Sequence, residues 1–126
     1  MINNNFEKKL KNKEFVFTAE TSPPDSTVRS EITDRVICLK DLADAINVTD
    51  GASAKSHLSS LVVSSIIKDI EIEPILQLTT RDRNRIAIQS DLLGAWTLNI
   101  QNILCIYGDQ VETGDQPETK EVRDLD

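Results

Sequence analysis

EPILQLTTRDRNRIAIQSDLLGAWTLNIQNILCIYGD, Glu73 to Asp109, decides the fold. EPILQL and NILCIY are short apolar runs rich in β-branched residues, and the segment between them has the length and composition of a helix. Strand, helix, strand in that order is a βαβ signature. Its third strand is read at Ile72 to Leu78, its helix at Asp82 to Asn99, and its fourth strand at Ile103 to Tyr107. Ile88, Leu92, Ala95 and Trp96 mark the packed face of the helix, and Gly94 costs it about 1 kcal/mol relative to alanine. Polar residues close both strands: Gln77, Thr79 and Thr80 after the first, Asp109 after the second. In α/β proteins ligands bind beyond the carboxyl ends of the strands, so that edge is the candidate site.

Upstream the same grammar repeats. Residues 1–13 are polar and lysine-rich and read as an arm or a short helix, with Phe6 and Leu10 spaced to dock, ahead of a (β/α) domain over 14–126. FVFTAE, Phe15 to Glu20, reads as the first strand, followed by a Pro-Pro loop that forbids a continued ladder. Ile32, Val36, Leu39 and Ala43 then recur as a helical stripe, with Glu31, Arg35 and Lys40 outward. Ala45 to Val48 is the second strand, closed by Thr49, Asp50 and Gly51. Ser53 is the expected cap of a second helix that buries Ala54, Leu58, Leu61, Val62 and Ile66. After Asp109 the chain becomes loop-like, with six acidic against two basic side chains. Four parallel strands joined by right-handed crossover helices make either a small open sheet or the first half of a closed (β/α)₈ barrel.

Size and charge narrow the function. At 126 residues the chain suits one domain with a core. A net charge of -7 disfavours nucleic acid, and no stretch reaches the roughly 20 apolar residues of a membrane span or forms a leader h-region, so the expected compartment is the cytoplasm. Cys38 and Cys105 lie within apolar periods, without CxxC spacing, and read as buried free thiols. Four strand ends present Glu20, Thr49 with Asp50, Gln77 with Thr79, and Asp109. A carboxylate after a strand reads as a cap, a turn former or a solvated loop residue; Glu20, directed by the Pro-Pro turn, reads equally as an acid if partly buried. Arg81, Arg83 and Arg85 lie near a helix N-terminus and suit either a phosphate or a charged, solvated first turn. Gly108 and Gly114 match neither GxGxxG nor Walker A, the lone His57 is a poor metal ligand, and Trp96 and Tyr107 read as core.

The blocks FTAETSPPDS, ADAINVTDGASA, RDRNR, QSDLLGA and GD followed by GDxP together resemble the methylenetetrahydrofolate reductase family, from about Phe15 to Asp126. The resemblance implies a flavin-binding (β/α)₈ barrel that reduces 5,10-methylenetetrahydrofolate to 5-methyltetrahydrofolate, in one-carbon metabolism and methionine biosynthesis. It implies FAD, with FMN as the alternative, and NADH or NADPH as electron donor. By motif it makes Glu20 the acid that opens the folate's methylene bridge, Thr49 and Gln77 flavin contacts, and Asp109 a carboxylate near flavin and folate. Tyr107 and Gly108 would line the same pocket through their backbone. Thr80, Gly51, Gln116 and Arg123 depart from common family residues. A full barrel needs about 250 residues, so the resemblance implies the N-terminal half of the reductase, completed by a complementary C-terminal half or a homo-oligomer and inactive when isolated. The competing readings are a non-catalytic half-barrel that binds flavin or a partner chain, and a remnant without activity.

Overall fold

The computed structural model describes residues 5–122, 124 and 125. Helix α1 spans Asn5–Lys11, α2 Arg29–Val36, α3 Ser60–Asp69 and α4 Arg85–Thr97. Strand β1 spans Thr18–Thr21, β2 Ala45–Val48, β3 Pro74–Thr79 and β4 Asn102–Ile106. The strands lie in chain order, β1-β2-β3-β4, and every neighbouring pair is parallel. This is half of a (β/α) barrel: parallel strands alternate with crossover helices, and all four strands end on one edge.

The two faces of the sheet differ because side chains alternate along a strand. Ile46 and Val48 of β2 point to the helices, where they pack with Ile32 and Val36 of α2 and Val63, Ile66 and Ile67 of α3. Leu76 of β3 meets Ala95 of α4 and Ile100 in a second cluster. Each such side chain taken out of water contributes about 1.5–3 kcal/mol, enough for α3 to form despite its three serines. One of these, Ser60, donates its hydroxyl to the Gln77 carbonyl at 3.1 Å, so a residue with weak helix preference ties α3 to β3. On the opposite, concave face stand Glu20, Asn47 and Gln77, with Leu104 beside Gln77 in the β3–β4 register. Leu104 is 44% exposed.

Helix α1 docks at the amino-terminal end of the strands. Phe6 is buried, and Lys9 reaches Asp44 at 2.5 Å. The Asp44 carboxylate also accepts the Phe17 backbone N–H at 3.0 Å. The Lys9 hydrogen bond, seconded by that from Phe17, holds the Asp44 carboxyl below its ordinary range.

Several sequence expectations need correction. The first strand is shorter than read: Phe15 and Phe17 precede β1 and are 86% and 52% exposed, because only Thr18 onward finds the β2 ladder. The second helix starts at Ser60. Ser53 does not cap it; positive φ at Gly51, Ser53 and Ala54 turns that segment into a short 3-10 loop instead. The third helix starts at Arg85, capped by Asn84, whose side chain accepts the Ala87 N–H at 3.0 Å. Cys38 and Cys105 are exposed free thiols rather than buried ones. Trp96 and Tyr107, read as core, are 69% and 41% exposed, and Leu92 and Leu93 of α4 also face outward. The apolar surplus of α4 and β4 thus lies at the open edge of the sheet.

Two stability predictions follow from this packing. A Cβ on Gly94 would lie 3.6 Å from the Leu61 side chain, an ordinary contact. Gly94→Ala should therefore raise unfolding stability in urea by roughly 0.5–1 kcal/mol; a loss would mean that α3 and α4 pack more closely than described. Because folding lowers the Asp44 pKa, its contribution is present above the unfolded value and vanishes as pH falls through the folded value. Asp44→Asn should flatten the acid side of the stability–pH curve and leave its alkaline side unchanged, measured by urea unfolding across pH.

Candidate functional site

At the carboxyl edge of the sheet, Glu20, Thr49, Asp50, Gln77, Gly108 and Asp109 line an open cleft of about 410 Å³ together with Ala52 and Ile106. Parallel topology brings them together, since each follows or closes one strand. The Gln77 side-chain amide is 3.5 Å from the Glu20 carboxylate, a long contact. The Thr49 hydroxyl donates to Ser22 at 3.1 Å, tying the second strand end to the Pro-Pro loop. Gln77 and Thr49 are buried to 8% exposure, whereas Glu20 and Asp109 are exposed. The partial burial on which the local acid reading of Glu20 depends is therefore not met, and that role rests on the family resemblance. Tyr107 does not line the cleft with Gly108, although its carbonyl accepts the Arg81 N–H at 3.0 Å just behind it.

Beneath this rim lies a layer of ion pairs. Asp50 accepts the Thr79 N–H at 2.8 Å and the Arg83 guanidinium at 2.5 Å, and its backbone carbonyl accepts the Thr79 hydroxyl at 2.9 Å. Arg83 also donates to the Thr79 carbonyl at 3.0 Å and to Asp91 of α4 at 2.9 Å. Burial opposes the Arg83 charge, but the hydrogen bonds and charges of Asp50 and Asp91 outweigh it and raise its pKa. One carboxylate thus joins the ends of β2 and β3 to α4.

Arg81 is 4% exposed. Its fork grips Asp82 at 2.7 and 2.6 Å, and its remaining nitrogen donates to the Asp109 carbonyl at 2.8 Å. The Asp82 hydrogen bond raises the Arg81 pKa against the effect of burial. Arg85 pairs with Asp124, through its backbone N–H at 2.8 Å and its side chain at 3.1 Å. The solvated reading of RDRNR holds for Arg85 alone: Arg81 is buried and Arg83 half-buried, both engaged by carboxylates and carbonyls, and the cleft lining contains no lysine or arginine. A phosphate has no counter-charge there. His57, half-buried, sits with its ring 3.3 Å from the Ala52 carbonyl.

Sequence reasoning missed the Asp50–Arg83 pair and the hydrogen bond from the Ser53 N–H to the Asp109 carboxylate at 2.7 Å. The alternating charges of RDRNR signalled the first. Nothing local signalled the second, which depends on the left-handed backbone of Ser53.

The close packing of the rim yields a direct prediction. Gly108 has φ +101, and a Cβ there would sit 2.4 Å from the Thr79 methyl and 3.3 Å from the Arg81 Cβ. Gly108→Ala should destabilise the chain by about 1–3 kcal/mol. Thr79→Ser, which removes the clashing methyl, should recover part of the loss; a neutral Gly108→Ala would contradict this geometry.

A search of curated proteins finds no match. The family model described as methylenetetrahydrofolate reductase, by contrast, matches residues 5–126, nearly the whole length. The chain therefore belongs to the methylenetetrahydrofolate reductase family.

Proposed function

We propose that the carboxyl edge of this sheet is the catalytic face of a flavin-dependent reduction of 5,10-methylenetetrahydrofolate to 5-methyltetrahydrofolate. The observation that carries the reading is the convergence of Glu20, Thr49, Gln77 and Asp109 on one cleft, from four different strand ends. The cleft has the size of a small-molecule site. Its donor set suits a planar heteroaromatic ring. The hydroxyl of Thr49, the amide of Gln77 and the carboxylate of Asp109 offer both donors and acceptors, while Ala52 and Ile106 give an apolar floor. The lack of a lysine or arginine in the lining matches the ring of a flavin and not its phosphates.

The reaction needs one proton and one hydride. When bound, flavin supplies the hydride to the methylene carbon, drawing its electrons from NADH or NADPH. Glu20 is the proton donor: its carboxyl stands at the rim, free to reach the bridge nitrogen that departs as the ring opens. Protonating that nitrogen turns the methylene carbon into an electrophilic iminium, which is what a hydride requires. Gln77, within 3.5 Å of Glu20, orients the acid and the ring against each other. Asp109 places negative charge near the cationic iminium, where charge develops during the reaction. Register among these groups is decisive, because a misplacement of about 1 Å costs on the order of 100-fold.

The exposed Leu104 and Tyr107 of the β4 edge favour a companion reading in which further strands or another chain cover this edge in the working enzyme. The acid assignment is tested by Glu20→Gln in the reductase assembled with whatever completes the barrel. Flavin binding, read from absorbance, should persist, while folate-dependent flavin reoxidation should fall about 10²–10⁴-fold. Unchanged reoxidation in the flavin-loaded variant would remove Glu20 from the chemistry.

A further inference from the structure

We infer that Arg81 is a positioning residue for the cleft: its buried guanidinium fixes the Asp109 backbone so that the Asp109 carboxylate is presented at the rim. The inference rests on the proposed role of Asp109 at that rim and adds the residue that holds it there.

Arg81 occupies a slot shaped for it. A Cβ on Gly51, which has φ +58, would lie 2.8 Å from one guanidinium nitrogen, and a Cβ on Gly108 would lie 3.4 Å from another. The planar group is therefore held between the loop after β2 and the loop after β4. Its orientation is locked from a third side, since Asp82 takes two of its donors in a fork. The nitrogen left over points to the Asp109 carbonyl at 2.8 Å. The Arg81 backbone also takes part: its N–H donates to the Tyr107 carbonyl, and its carbonyl accepts the Val122 N–H at 2.7 Å.

Asp109 is consequently held at two points. Arg81 takes its carbonyl, and the Ser53 N–H donates to one carboxylate oxygen at 2.7 Å. Residues held at both backbone and side chain have little freedom, although Asp109 is exposed and lies in a loop beyond the sheet. The second hold depends on strained backbone, with Ser53 at φ 58 and Ala54 at φ 53. Such conformations persist only where their surroundings over-determine them. The Asp109 carboxylate is one such partner, so releasing Asp109 should loosen the Ser53 loop as well. Lysine cannot replace Arg81, because a single ammonium point charge cannot grip Asp82 with a fork and keep a directed donor for Asp109.

Amide hydrogen exchange on the full chain tests this without any ligand. In Arg81→Lys, the Ser53 amide should exchange about tenfold faster, beyond any change at Leu76 in the buried β3 strand, which reports global opening. Asp82→Asn, a milder change at an exposed side chain, should move Ser53 in the same direction by less and keeps the test available if Arg81→Lys fails to fold. A ligand arm uses riboflavin, which carries the ring without phosphate. Its Kd, from fluorescence quenching, should rise in Arg81→Lys, and adding Asp109→Asn should bring no further multiplied loss. Equal acceleration at Ser53 and Leu76, an unchanged Ser53, or multiplying losses in the double variant would each overturn the positioning role. A wild-type chain that does not bind riboflavin would overturn the flavin reading, while the exchange arm would still decide whether Arg81 holds Asp109.

Discussion

The arrangement of the carboxyl edge depends on one partly buried ion pair, Asp50 with Arg83. Asp50 follows β2 by two residues, yet its carboxylate accepts from the backbone of Thr79, the last residue of β3, and from a guanidinium that also reaches Asp91 on α4. Three consecutive elements are thereby held at their ends by one carboxylate. Removing Asp50 would leave Arg83 with Asp91 as its one carboxylate partner, and removing Arg83 would leave the Asp50 carboxylate with the Thr79 N–H and no cation, a loss that typically exceeds the net worth of the pair. The polar rim above rests on this layer: Thr49 precedes Asp50, and Gln77 lies two residues before Thr79.

Charge is distributed in two tiers. In the lower tier every cation is paired, with Asp50 and Asp91 set against Arg83 and Asp82 set against Arg81, so three carboxylates face two guanidiniums. The upper tier keeps an acidic excess, with Glu20 and Asp109 at the rim and no cation among the lining residues. An acidic rim suits chemistry that passes through a cationic folate intermediate. It disfavours an anion at the same spot, so the phosphates of a dinucleotide or nucleotide cofactor would have to lie outside this cleft.

Much of the fold was legible because its signals are local. The runs at Ala45 to Val48 and around Leu76 are largely buried strands with clear punctuation, and parallel topology alone brought Glu20, Thr49, Gln77 and Asp109 to one edge. Three readings failed for physical reasons that no local pattern carries. Phe15 and Phe17 alternate like strand residues, but a strand needs a partner, and β2 begins opposite Thr18. Cys105 and Trp96 lie in apolar periods, yet β4 and α4 stand at the open edge, where such periods face outward. Ser53 looks like a cap, but left-handed backbone at that residue turns its N–H to Asp109 instead. The membership of a reductase family, carried by RDRNR, QSDLLGA and the paired GD motifs, agrees with the match over residues 5–126. Among the described residues no helix is long and apolar enough to cross a membrane.

On the proposed reading the four strand ends form a flavin-ring site. A backbone amide chemical-shift map of the chain titrated with riboflavin tests this. Saturating shifts should fall on Thr49 to Ser53, Gln77 to Thr79 and Ile106 to Asp109, with the opposite end of the sheet, around Phe17, Asp44 and Glu73, unmoved. Shifts concentrated at that opposite end, or none at any concentration that riboflavin reaches, would contradict it.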